Sequence, residues 1–240
     1  MIEVRNLSIG YRNGKRKTCI ASCIDARIDD GRLCCLTGRN GTGKSTLLRT
    51  LAGLLPPLSG SVTAGCDGTL PISIAEASDS GKSRLVSIVL TGHTDTGLLK
   101  VRDVVGFGRI PYSGILGKLS CQDKLAVDRA IRLVGIEDLE HKDIDCLSDG
   151  EYQKVMIAKA LAQETPVILL DEPSAFLDWP SKHELMDLLV RLAHEHGKTI
   201  LLSSHDLDII RDRADVYWTM ARTDGNCILR QSDRLPSEMP

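Results

Sequence analysis

Nine consecutive residues, Gly38-Arg39-Asn40-Gly41-Thr42-Gly43-Lys44-Ser45-Thr46, constrain this chain more than any other part of it. They fit the pattern GxxxxGK(S/T) and follow a short apolar run, Leu33–Thr37. After them come Leu47, Leu48, Leu51 and Leu54 at helical spacing, and Pro56-Pro57 ends that helix. A strand, a glycine-rich turn and a helix in that order build a cradle for an anion. Glycines let successive N–H groups converge on one point, and the helix directs its positive end at the same point. Lys44 is then expected to reach the β- and γ-phosphates of a nucleotide, and the Ser45 hydroxyl to ligate Mg²⁺.

Two further strand endings belong with this loop. Val167–Leu170 is an unbroken apolar run, as expected of a strand buried on both faces, and it ends in Asp171-Glu172. Thr199–Ser203 is a similar run that passes through Ser204 into His205. Ligands of open α/β sheets bind beyond the carboxyl ends of the strands. Both endings are therefore expected beside the loop. Asp171 would hold Mg²⁺ there, and Glu172 would orient or deprotonate a water attacking the γ-phosphate. His205 would donate a hydrogen bond to that phosphate.

The remaining sequence suggests how these pieces are carried. Residues 1–35 read as short strands broken by turns, with Asn13-Gly14 suited to a hairpin. Residues 60–84 read as turn-rich, with β segments at Ser61–Ala64 and Pro71–Ile74, and Leu85–Leu90 is another strand. From about residue 92 to 160 the pattern turns helical. Ser120 offers a cap, Val127, Ala130, Ile131 and Val134 line one face, and Gly135 is placed to stop that helix. A second helix is expected from Gly150 to Ala162, and a third opens at Pro180, with Leu185, Leu188, Leu189 and Leu192 inward and Gly197 closing it. Strands alternating with helices predict a parallel α/β sheet. Core and β subdomain are expected over about 1–91 and 161–225, a helical subdomain over about 92–160, and a polar tail over about 226–240.

Composition excludes several other roles. Thirty basic against 32 acidic side chains give a formal charge of −2, which argues against a nucleic-acid partner. Only 3% of the residues are aromatic, too few for a base-stacking surface. No apolar run approaches the roughly 18 residues needed to span a bilayer, and the start MIEVRNLSIG lacks the apolar stretch of a signal peptide. The eight cysteines show no CxxC spacing, so mostly buried, reduced thiols are expected rather than disulfides or a metal site. Adjacent Cys34 and Cys35 should face opposite sides of their strand. None of His93, His141, His183, His194 and His196 has a ligand-spaced partner, and surface or capping positions are expected for them.

Taken in order, these motifs resemble the nucleotide-binding subunits of the ATP-binding-cassette (ABC) family. Leu147-Ser148-Asp149-Gly150-Glu151 is similar to that family's LSGGQ signature and lies between the phosphate loop and Asp171, as the family has it. Ser174-Ala175-Phe176-Leu177-Asp178 resembles its D-loop, and Ser204-His205-Asp206 its switch-histidine loop. Tyr11 is placed like the aromatic residue that stacks on adenine. The stretch Val101–Tyr112 resembles the branch serving iron-chelate, haem and cobalamin importers. Three residues depart from the pattern. Asp149 replaces a glycine, Glu151 replaces the glutamine, and Thr91 stands where the family has a glutamine that reaches Mg²⁺ and the attacking water.

The resemblance implies a P-loop α/β core with an antiparallel β subdomain and a helical subdomain, ATP and Mg²⁺ as ligands, and ATP hydrolysis. It also implies a head-to-tail homodimer in which Ser148, Asp149, Gly150 and Glu151 face the ATP on the opposite subunit, near the D-loop residue Asp178. Closure would drive a separate integral-membrane permease at the cytoplasmic face of the cell membrane, importing an iron–siderophore complex, haem or cobalamin delivered by a substrate-binding protein. Thr91 would sit in the loop that couples to the permease, too short to touch the metal directly. A non-transport ABC ATPase, an ABC subunit for another substrate, and another P-loop enzyme such as a small-molecule kinase are the alternative readings.

Overall fold

A computed structural model describes residues 1–14, 16–66, 69–92, 99–114, 117–223 and 226–235. The chain begins with a long antiparallel hairpin, β1 (Ile2–Asn13) and β2 (Arg16–Ile28), turned at Gly14 with φ +57°. It continues through β3 (Leu33–Gly38), α1 (Lys44–Leu51), β4 (Ser59–Ala64), β5 (Ile72–Ser73), α2 (Asp79–Leu85) and β6 (Val86–Val89). Three helices follow, α3 (Val101–Gly106), α4 (Cys121–Val134) and α5 (Asp149–Ala162). The remainder is β7 (Val167–Leu170), α6 (Trp179–His194), β8 (Thr199–Ser203), α7 (Leu207–Ile210), β9 (Val216–Thr223) and β10 (Asn226–Ser232).

All ten strands join one sheet in the order β5-β4-β1-β2-β10-β9-β3-β8-β7-β6. The half from β9 to β6 is parallel, and β1, β2, β4 and β5 pair antiparallel. The sheet is therefore mixed, not purely parallel. β3, β7 and β8 are buried throughout, because apolar layers cover both of their faces. Cys34 and Leu36 enter the layer containing α1, while Leu33 and Cys35 enter the layer containing α4, α5 and α6. The two adjacent thiols thus face opposite sides, and burial raises the pKa of both.

Several expectations need correction. The opening segment forms two long strands rather than many short ones, since bulges near Leu7 and Ile9 interrupt the alternation without ending the pairing. Within the stretch read as turn-rich, α2 forms on the cap made by Ser78 Oγ, which accepts from Gly81 N at 3.1 Å. None of its residues is buried, so no apolar period marks it. The start of the supposed polar tail is a true strand. β10 pairs with β9 along its length and touches β2 at Cys227, and its Gln231 accepts from the indole N–H of fully buried Trp218 at 3.2 Å. Nor are the thiols mostly buried. Cys34, Cys35 and Cys227 are, whereas Cys19, Cys23, Cys66, Cys121 and Cys146 are exposed. Helix α6 runs to His194 and closes as expected at Gly197, which takes φ +64° while Lys198 N donates back to the Leu192 carbonyl at 3.1 Å; His93 lies outside the described residues.

The helices α3, α4 and α5 pack on one another through Val101, Val104, Val105, Val127, Ile131 and Val155. A buried guanidinium ties them together. Arg109 donates to Asp123 at 2.9 Å, to the Ala162 carbonyl at 2.7 Å and to Glu164 at 2.8 Å, and it stacks over the Tyr112 ring. Asp123 also closes the capping box of α4 with Ser120. Hydrogen bonds from Ser120, then from Arg109, hold its carboxyl below the usual carboxylate range. A carboxyl with a depressed folded pKa stabilises above its unfolded value of about 3.9, and the stabilisation is lost as pH falls through the folded value. Arg109→Met is therefore expected to cost about 3–5 kcal/mol at pH 7, the range for breaking a buried pair. Urea unfolding should show that gap narrowing below about pH 4, as Asp123 becomes protonated.

Candidate functional site

The loop from β3 to α1 is shaped by close backbone approach. A Cβ on Gly38 would lie 2.5 Å from the Met220 carbonyl oxygen, and one on Gly43 2.5 Å from Ile20 Cγ2. Only glycine fits at either place. Thr42 Oγ1 donates to the Arg39 carbonyl at 2.9 Å and closes the turn. Lys44, 6% exposed, folds its ammonium back over the loop and donates to the Gly38 carbonyl at 2.9 Å. Burial lowers its pKa, while the charges of Glu172 and Asp171 oppose that shift.

The start of α1 differs from those of the longer helices. α4, α5 and α6 are each capped by a side chain, from Ser120, Ser148 and Asp178 respectively. α1 begins at Gly43 with no side-chain cap and no acidic residue in its first turn. Its first N–H groups are thus not taken up by the helix's own side chains, as a phosphate site requires. Ser45 stands half-buried in that turn, and Asn40 and Gly41 are exposed at the loop tip. Tyr11, at the far end of β1, reaches the same turn, its hydroxyl 3.2 Å from Thr46 Oγ1, and the residue is 45% exposed.

Strand register brings the other residues alongside. Leu36 pairs with Ser203, and Leu170 pairs with Leu202 on one side and Val89 on the other. The polar endings of β3, β8, β7 and β6 therefore lie side by side at one edge. Asp171 is 7% exposed and accepts from Ser203 Oγ on Oδ1 at 2.8 Å. Glu172 leaves the strand at φ +47°, a left-handed conformation that costs a residue with a side chain on the order of 1–3 kcal/mol. Its N–H donates to the same Ser203 Oγ at 2.8 Å, and its carboxylate lies 2.7 Å from His205 Nε2. Thr91 Oγ1 donates to the Asp171 carbonyl at 2.6 Å. Asp171 offers a carboxylate and Ser45 a hydroxyl, oxygen donors of the kind taken by Mg²⁺, which keeps water and phosphate ligands of its own.

Ser148, Asp149, Gly150 and Glu151 open α5, with Ser148 as its N-cap. Ser148 Oγ and Ser148 N both donate to Glu151 Oε2 at 2.9 Å, and Glu151 N donates back to Ser148 Oγ at 3.3 Å. These bonds, with Lys142 at 3.6 Å from the second oxygen, hold the Glu151 carboxyl below its usual range. Asp149 lines a small cavity between α5 and the Glu172 turn, shared with Thr91, Tyr152 and Phe176. Asp178 caps α6 by accepting from Ser181 N at 3.0 Å. Sequence reasoning missed Ser203, which reads as one more small residue at a strand end. Its position two residues before His205 is the only signal it leaves.

A mixed sheet whose parallel half ends in a phosphate loop, an aspartate–glutamate pair and a histidine matches known proteins over almost its full length. The family described as ABC transporter matches residues 21–175. The ABC transporter ATP-binding protein MJ0873 of Methanocaldococcus jannaschii is 38% identical over 215 residues, covering 90% of this chain and 71% of its own. The achromobactin transport ATP-binding protein CbrD of Dickeya dadantii is 37% identical over 214 residues, covering 89% and 76%. The solved structure of cbiO1 from Clostridium perfringens, part of the ABC transporter complex cbiONQ, superposes with a TM-score of 0.77 at 33% identity, covering 97% of this chain and 88% of that one. With the loop, the two carboxylates and the histidine in register at one sheet edge, the chain belongs to the ABC transporter family as an ATP-binding, ATP-hydrolysing cassette.

Proposed function

We propose that this cassette hydrolyses ATP with Glu172 as the group that activates water, and that it powers import of an iron–siderophore complex through a separate permease. The observation that carries the chemistry is the Glu172 turn, where Asp171, Glu172 and His205 meet at the strand ends beside β3 and its phosphate loop. Residues 38–46 would cradle the phosphates and Lys44 would exchange its bonds to loop carbonyls for phosphate oxygens, while Tyr11 would stack on the base. Mg²⁺, held by Asp171 and Ser45, would supply charge neutralisation at the β- and γ-phosphates. Glu172 would take the proton of the attacking water, with His205 setting the carboxylate and reaching the γ-phosphate.

The transport role draws on the relatives. CbrD carries achromobactin transport in its name, and the Val101–Tyr112 stretch resembles the chelate-importer branch. Among the described residues no helix is long and apolar enough to cross a membrane. In this reading the permease is a separate chain and the cassette sits at its cytoplasmic face. A substrate-binding protein would deliver the cargo. Two copies would pack head to tail, each lending Ser148 and Gly150 to the ATP of the other. In that arrangement Lys142 and the capping box restrain the carboxylate of Glu151, which limits its repulsion of a phosphate.

Glu172→Gln is expected to keep ATP binding, lower turnover by roughly 10²–10⁴-fold, and accumulate an ATP-bound dimer on size exclusion. Near-normal hydrolysis would remove Glu172 from its role. Ser148→Arg should abolish hydrolysis at unchanged nucleotide affinity. Mixing it with Lys44→Ala should recover activity at one composite site, because both lesions then fall in the other. An active Ser148→Arg homodimer would contradict the head-to-tail arrangement. Co-purification with a multi-span membrane protein, then uptake assays with ferric siderophores, haem and cobalamin, test the cargo; uptake confined to haem or cobalamin would replace the siderophore reading.

A further inference from the structure

We propose that Thr91 and Ser203 are positioning residues, whose hydroxyls grip the two ends of the Asp171–Glu172 peptide group and so fix the Glu172 carboxylate. The inference rests on Glu172 as the water-activating group and concerns what holds it there. The last backbone bond that β7 receives from β6 is Asp171 N to Val89 O, at 2.9 Å. At Glu172 the backbone turns to φ +47°, and the strand ladder ends. The carbonyl and N–H of this one peptide group bond instead to side chains from the two flanking strands. Thr91, just beyond β6, donates to the carbonyl, and Ser203, the last residue of β8, accepts from the N–H.

A hydroxyl has a single proton, so each bond has a defined direction. Ser203 spends its proton on Asp171 Oδ1 while its lone pair takes the Glu172 N–H. One buried oxygen thereby sets the relation between the two acidic residues. Thr91 spends its proton on the Asp171 carbonyl. The residue that replaces the family's glutamine therefore acts on the backbone that carries Glu172. With His205 on the carboxylate itself, the glutamate is held at both ends. A displacement of about 1 Å at a reacting group costs on the order of 10²-fold in rate, so loosening this peptide should be read in turnover.

The test uses the full chain with Thr91→Val, which keeps the shape and removes the hydroxyl, Ser203→Ala, and Thr91→Ser as the conservative variant. ATPase kinetics should show kcat reduced about 10–100-fold in the first two, following the displacement argument. Nucleotide affinity by equilibrium binding should stay near that of the unaltered chain, and Thr91→Ser should restore most of the turnover. Placed on Glu172→Gln, Thr91→Val should not lower the residual rate further, because Thr91 acts only on the backbone that carries Glu172; Ser203→Ala also frees Asp171 Oδ1 and is compared only with the unaltered chain. The proposal is overturned if Thr91→Val or Ser203→Ala retains normal kcat, if Thr91→Ser is as slow as Thr91→Val, or if the Thr91→Val loss persists in the Glu172→Gln background. If Glu172→Gln alone hydrolyses normally, the assignment of Glu172 fails first, and the proposal with it; slow Glu172→Gln beside normal Thr91→Val defeats the positioning role alone.

Discussion

Lateral pairing of β3, β8, β7 and β6, all running the same way, is the constraint on which the rest depends. Parallel strands in register deliver their carboxyl ends to a common edge. The register here places Gly38, Ser203, Asp171 and the turn toward Thr91 in neighbouring positions. β3, β7 and β8 are buried along their whole length and meet polar residues at that edge, so burial of these runs decides where the polar residues emerge. A one-residue slip in β7 would turn Asp171 to the opposite face. Both faces of the strand are packed, and the apolar layers make such a slip costly.

Electrostatics in the cluster follow from that arrangement. Lys44 is buried, and burial alone disfavours its charge; Glu172 and Asp171 work against that effect across the loop. The Asp171 carboxylate is restrained by the Ser203 hydroxyl and the Glu172 carboxylate by the His205 imidazole. Ser203 and Thr91 bond to the turn through hydroxyls and bring no charge of their own. Charge at the α5 end is handled differently. Glu151 is enclosed in its own helix cap, and the carboxylate added there completes the N-terminus of α5.

The phosphate loop was legible because its chemistry is local. Glycine spacing, the lysine and the following helix all lie within a dozen residues, and close backbone approach leaves no alternative at Gly38 and Gly43. Asp171, Glu172 and His205 were legible because each ends an apolar run. α2 was hidden because no residue in it is buried, and β10 because a polar edge segment resembles a tail until Gln231 is seen against Trp218. In the sequence Arg109 is one residue of the Val101–Tyr112 stretch and nothing more. Its three acceptors come from segments separated by many residues, and nothing near it in sequence announces them.

By itself the sequence determined the phosphate loop, the identity of the acidic pair and the alternation of strand and helix that places them at a sheet edge. These features depend on residues close together in the chain. Tertiary structure alone decided that Ser203 touches both acidic residues and that Thr91 bonds to the Asp171 carbonyl. It also decided that Glu151 binds Ser148 in a closed cap and that β10 joins the sheet. The physical reason is the same for the first two. A hydroxyl's partner is set by which strand lies beside its own, and that order is fixed only when the whole sheet assembles.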